Sequence, residues 1–239
     1  MTFSTNDYYD QQPSIRVDDR CIQTGYDRSE HMNTDEFLDA VRDENQTALS
    51  RLGSSKSLYA DTDGEMETET VLAAAATAEH HAAETYDAWA DAETGAVADA
   101  FAETTGEERD HYETVVGRLD SHEPGDVPAI QAYLRDLDDT VERLGGFVGR
   151  TLAAEQSKTQ LTGFFVGNAD PKTASLFRGM GDDLDAQLER AGELLAAECG
   201  DDESCWKRAI AAATGAIEAA YGEYTESLES MGVNPKPVC

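Results

Sequence analysis

Positive charge is what this chain has least of. Only 18 lysines and arginines stand against 49 aspartates and glutamates, a formal net charge of −31 over 239 residues. A surface of that sign repels the phosphate backbone of nucleic acid, so direct nucleic-acid binding is not expected. Anionic membrane surfaces are disfavoured for the same reason. Long apolar runs are also missing: no segment reaches the roughly 18–20 apolar residues of a membrane span. The opening MTFSTNDYYDQQPS has neither the basic start nor the apolar core of a secretory leader. The chain therefore reads as soluble and cytoplasmic. Cysteine is scarce, and Cys21, Cys199, Cys205 and Cys239 include no Cys-x-x-Cys and no recognisable zinc spacing. Cys199 and Cys205 could close a small disulfide, but a reducing cytoplasm makes free thiols the default. No stretch has the alternating, β-branched character of a strand. No Ser/His/Asp or Cys/His nucleophile is identifiable, and Gly179-Met180-Gly181 lies in a helical stretch, not in a phosphate loop.

Lysine is the scarcer cation, 5 residues of the 18. Evenly spread acids, little lysine and abundant alanine resemble the composition of salt-in halophilic proteins. In molar salt the Debye length falls to about 3 Å, which screens most of the self-repulsion. A single glutamate is therefore weak evidence for a site.

What remains is helical periodicity, and the fold class it implies is all-α. Residues 1–31 carry no period and read as a disordered arm. Translation from Met32 is an open alternative to Met1. Residues 32–67 read as an accessory helix that begins with a capping box, Asn33 and Glu36, carries Phe37, Val41, Ala48, Leu52 and Tyr59, and stops near Asp61-Thr62-Asp63-Gly64. A second helix spans about 68–93 and a third follows Thr94-Gly95. Pro128 suits the first turn of a fourth helix, which Gly145-Gly146 kinks or ends. A fifth carries Val148, Leu152, Glu155, Thr159, Thr162 and Val166 on one stripe. Asp170-Pro171 opens a sixth as cap and first residue, and a seventh lies within the C-terminal segment, 199–239. The stripe of the seventh, Trp206 to Met231, suits an added packing helix or the seam of a homodimer. His80 and His81 read as surface or boundary residues, His122 as an exposed linker residue, and Tyr86 and Trp89 as core packing.

Four polar residues interrupt apolar stripes: Glu79, Glu108, His111 and Glu155. Glu108 and His111 form Glu-x-x-His, which places both on one helix face. About one acid-x-x-His pair is expected by chance from this composition, so the register matters more than the motif: Phe101, Thr104, Glu108, His111 and Val115 share one stripe. An offset of 76 positions also aligns Glu79 with Glu155, Trp89 with Phe165 and Phe101 with Phe177. Two helix hairpins joined by a crossover are one way to build a four-helix bundle, here over 68–198. Three carboxylates in such a core call for a cation, since like charges at low dielectric carry a penalty of several kcal/mol. A metal-free polar network and a misjudged stripe are the alternatives.

The stretch from Ala78-Glu79-His80-His81 to Tyr86 and Trp89 resembles the first bundle helix of rubrerythrins. Phe101 to His111, ending in Glu-x-x-His, resembles their second. The resemblance covers roughly residues 68–198 and is strongest over 75–115. It implies a ferritin-like bundle holding iron or manganese, with Glu79 and His111 as terminal ligands, Glu108 as a bridging ligand and Glu155 as the partner of Glu79. It also implies oxidative chemistry with O2 or peroxide, of peroxidase or oxidase type, and an electron donor the sequence does not name. The chain departs from the pattern where the second Glu-x-x-His belongs, since Leu184 and Gln187 stand there. One ion is thus a better expectation than a dinuclear centre. The contrasting expectation is a metal-free bundle acting as a scaffold or regulatory partner.

Overall fold

The computed structural model describes Met1 and residues 32–236. Apart from Met1, the arm expected over 1–31 lies outside the described residues, as do Cys21 and Cys239. Among the described residues every regular element is a helix, as expected.

The segment expected to be one accessory helix is three: α1 (Thr34–Glu44), α2 (Gln46–Leu52) and α3 (Ser55–Asp61). The capping box forms, with Glu36 N–H donating to Asn33 Oδ1 at 3.0 Å and Asn33 N–H to Glu36 Oε2 at 3.2 Å. The first break is made by Asn45, whose side-chain amide donates to the Val41 carbonyl and to Thr214 Oγ1, both at 2.9 Å. A side chain that competes for helix carbonyls ends the helix it sits on. Gly53-Ser54 makes the second break, where Ser54 Oγ donates to the Arg51 carbonyl.

Two long hairpins follow. The first is α4 (Thr68–Ala92) with α5 (Gly95–Val116), the second α7 (Thr140–Gly167) with α8 (Pro171–Cys199). Asp170 caps α8 and Pro171 is its first residue, as the sequence indicates. Their turns lie at opposite ends of the bundle. Trp89, Val97 and Phe101 beside the first turn share a core cluster with Phe147 and Leu195. Phe165 and Phe177 beside the second share another with Val71, Leu72 and Val115. The connection between hairpins, residues 117–139, holds only a short helix, α6 (Ala129–Arg135), with Pro128 at its N-cap. His122 is not an exposed linker residue: its ring meets Thr77 Oγ1 and the Ala73 carbonyl at 3.1 Å and docks the crossover on α4. His81 is buried as well, with Nε2 2.9 Å from the Gly125 carbonyl.

Gly145-Gly146 does not end a helix, for α7 runs through it. The glycines serve packing. A Cβ on Gly145 would lie 2.3 Å from the Ala209 carbonyl oxygen, and one on Gly149 would lie 2.2 Å from that of Ala213. These small residues let α9 (Glu203–Ser230) lie directly against α7, so the α9 stripe, including Trp206, Ala213 and Ile217, is buried within the chain. Cys199 and Cys205 are joined in a disulfide, not free, because the tight turn at Gly200 brings their Cα atoms to 5.3 Å.

Close backbone approach sets a testable contrast. Gly149→Ala should destabilise the protein by about 1–3 kcal/mol or more through overpacking. Gly163→Ala, on an exposed stretch of the same helix with nothing near its Cβ position, should gain up to about 1 kcal/mol of helix propensity. Urea unfolding of both variants checks the pair.

Candidate functional site

Between the two apolar clusters lies a charged layer. Glu79 of α4 and Glu108 of α5 are 1% and 0% exposed, and the face of α7 that meets them carries Arg150 and Lys158, each 5% exposed. The Arg150 guanidinium grips Glu108 with a parallel pair of hydrogen bonds, Nη1 to Oε1 at 2.7 Å and Nη2 to Oε2 at 2.8 Å. Lys158 Nζ donates to Glu79 Oε1. Arg150 Nη2 also lies 3.7 Å from Glu79 Oε2, and its guanidinium sits over the Tyr86 ring. Gln187 of α8 donates to Glu108 Oε1 at 3.1 Å and to Glu107 Oε2 at 3.0 Å. His111, one turn beyond Glu108, points Nδ1 at the layer, 3.8 Å from Glu79 Oε2 and 3.9 Å from Glu108 Oε2. Its Nε2 is 2.9 Å from Asp183 Oδ2.

Burial disfavours ionisation of Glu79, but Lys158, His111 and Arg150 outweigh it and hold the carboxyl well below the usual range. Burial raises the Glu108 carboxyl, and Arg150 opposes it while Glu79 adds to it. Arg150 stays charged despite burial because Glu108 and Glu79 face it. Burial lowers His111, and the surrounding Glu79, Glu108 and Asp183 more than reverse this, so its pKa is raised.

Of the four expected ligands, three are together. Glu79, Glu108 and His111 offer ligand atoms within 4.8 Å of one another, a group that could hold a metal ion. Glu155 is outside that group. It is half-buried, and the charges that act on it are Arg42 and Asp185. The reason is register. The stripe of α7 that faces α4 and α5 runs through Phe147, Arg150, Ala154, Lys158, Leu161 and Phe165, and Val166 of the expected stripe is 59% exposed. Reasoning from acids missed Arg150 and Lys158. The signal available was a pair of cations eight apart among apolar residues at helical spacing, in a chain with few lysines. Tyr86 and Trp89 do pack in the core, against Phe101 and Phe147.

The donor set does not fit a dinuclear centre. Leu184 and Gln187 supply no second carboxylate–histidine pair, and Glu155 is turned away. The two carboxylates already face two side-chain cations, Arg150 and Lys158. A divalent ion would add two charges next to Arg150 and Lys158. Four buried side-chain atoms lack hydrogen-bond partners, Glu79 Oε2, His111 Nδ1, Tyr86 Oη and Gln187 Oε1; the first two are 3.8 Å apart, too far for a direct hydrogen bond, with Arg150 alongside.

A second group, His80, His81 and Glu84, also has its ligand atoms within 4.8 Å. It is already engaged, since Arg135 Nη2 donates to Glu84 Oε2 at 3.0 Å and His81 holds the crossover.

A cavity of about 530 Å³ opens beside the charged layer. Its floor includes Glu79, Arg150, Lys158, Val71 and Leu161, all buried, and its rim includes Asp61 and Glu223, both exposed. The surrounding protein pushes the Asp61 carboxyl up to about 7, and the Glu223 carboxylate adds to the rise.

No protein-family model, no curated protein and no solved structure matches the chain. No described helix is long and apolar enough to cross a membrane.

Two expectations follow. Arg150→Met leaves Glu108 buried without its counter-charge and should cost about 3–5 kcal/mol in urea unfolding, whereas Glu108→Leu/Arg150→Met, which removes both charges, should recover most of that loss. The folded-state pKa of Asp61 is raised above its ordinary 3.8, so above that value the folded state keeps a proton that the unfolded state releases. Its contribution to stability therefore falls as pH rises from there through the raised pKa. The gain in Tm from Asp61→Asn should accordingly be larger at about pH 8 than at about pH 4.

Proposed function

We propose that this chain is a rubrerythrin-like, ferritin-like bundle that has exchanged its metal ions for side-chain cations and works as a non-catalytic helical scaffold or regulatory interaction protein. The observation that carries this reading is the pairing of Arg150 with Glu108 and of Lys158 with Glu79 at mid-bundle. A carboxylate-rich core needs cations, and α7 supplies them covalently. The ligand spacing over 75–115, the two hairpins with turns at opposite ends and the crossover between them support the ferritin-like assignment. Leu184 and Gln187 support the loss of metal chemistry: one fills the place of a ligand with hydrocarbon, and the other bonds Glu108 through its amide.

Metal analysis of protein purified in high salt without chelator, from cells supplied with iron and manganese, tests the reading. Substoichiometric metal that is unchanged in Glu108→Leu, with a Tm unaffected by a chelator, is expected. Stoichiometric iron or manganese that disappears in Glu108→Leu would overturn it, because a metal bound by the folded state alone would stabilise the fold by mass action.

A further inference from the structure

The cavity beside the charged layer has a divided character. Its inner wall is aliphatic, formed by Leu58, Val71, Ala75 and Leu161. Its charged floor is balanced, since Lys158 and Arg150 are engaged by Glu79 and Glu108. Its rim is not balanced. Asp61, at the end of α3, and Glu223, on α9, face the same opening, Asp63 and Asp126 also line it, and none of the four takes part in any ion pair among the described residues. Glu223 Oε2 accepts the Ala129 N–H at 3.1 Å, which fixes the carboxylate against the start of α6. The volume lies within the roughly 300–1,000 Å³ typical of small-molecule sites, and apolar walls with a few convergent polar groups are the usual composition of such sites.

We propose that this cavity binds a protonated aliphatic amine, with its ammonium group between the Asp61 and Glu223 carboxylates and its hydrocarbon body against Leu58, Val71, Ala75 and Leu161. The chemistry selects this class over others. An inorganic cation would leave the aliphatic wall in contact with water and gain nothing from it. A carboxylate or phosphate would meet two anions at the entrance. A neutral alcohol would use the wall and leave the two facing carboxyls uncompensated. An ammonium turns their mutual repulsion into two attractions, and three N–H donors match oxygens arriving from two helices. The site does not require the buried layer to be free of metal, because the head group lies at the rim and not at Glu79.

Isothermal titration of the full chain with n-hexylamine, 1-hexanol and hexanoate tests the assignment. Molar salt should be used to screen attraction to the −31 surface. Saturable one-to-one binding of hexylamine is expected, about tenfold or more tighter than hexanol, with no binding of hexanoate. Asp61→Asn/Glu223→Gln should remove most of the preference for the amine, Asp63 and Asp126 being left in the lining, and should keep hexanol binding in place, which also reports that the cavity has kept its shape. A control variant, Asp182→Asn/Glu189→Gln, removes the same charge from the exposed side of α8 and should bind hexylamine like the parent. Equal affinity for hexylamine and hexanol would overturn the proposal, as would an amine preference undiminished in the rim variant or an absence of saturable binding.

Discussion

Everything at the centre of this bundle follows from two carboxylates placed where water does not reach. Glu79 and Glu108 sit on separate helices of one hairpin, and each meets a cation from the other hairpin. Taking four charges out of water costs several kcal/mol for each ion, and their mutual attraction returns that cost only with good geometry and satisfied hydrogen bonds. Hence the fork of Arg150 on Glu108, the amide of Gln187 on the same carboxylate, and the Tyr86 ring under the guanidinium. Net stabilisation is modest, but the wrong arrangement is expensive. The apolar clusters above and below the layer are held by non-directional burial, with ring packing of Tyr86 and Trp89 against Phe101 and Phe147 on one side. A slide that separated either carboxylate from its cation would leave a bare buried charge. The layer thus sets the register between hairpins more than it adds stability.

The same layer explains the cavity. Long cationic side chains reach the centre only if small residues line their path, and α4 and α7 provide Ala75, Ala78, Ala153 and Ala154 along it. Small residues between three or more helices leave volume unfilled. On the other side of α7 the same economy has the opposite result: Gly145 and Gly149 admit the backbone of α9 and close the gap. One helix therefore packs tightly on one face and loosely on the other.

The helical type was legible in the sequence, and so were the caps at Asn33 and Asp170, because period and capping are local properties; helix number was not, since the expected accessory helix is three and the expected fourth helix ends at Arg135, its remainder belonging to α7. Glu79, Glu108 and His111 were legible for the same reason: on α4 and α5 the apolar residues around them define one unbroken stripe. On α7 they do not. That helix is buried over most of its first half, from Val141 to Leu152, so several stripes are apolar and periodicity alone cannot choose the face that meets α4. Alignment with Glu79 chose Glu155, whereas the structure uses Lys158, three residues on. Glycine misled in a similar way. Propensity reads Gly145-Gly146 as a break, yet a contact some sixty residues further along the chain requires small residues there. The break at Asn45 and the disulfide depend on contacts of similar kind, with Thr214 and across the α8–α9 turn.

The charge that dominates the composition is divided by the fold into two populations. Inside, acids are counted against cations: Glu79 against Lys158, Glu108 against Arg150, and Glu93, at the end of the first hairpin arm, against Arg143 at 2.7 Å. Outside, few of the described acids take part in an ion pair with Lys or Arg, and solvent and salt supply most of the screening. Asp61 and Glu223 belong to neither population. They take part in no ion pair, like most of the surface acids, but they stand at the mouth of a cavity with an aliphatic wall. Unpaired carboxyls there raise the free energy of the folded chain unless a proton or a cation joins them. A proton quiets one of the two; an ammonium group satisfies both, and that difference is a physical preference for a ligand.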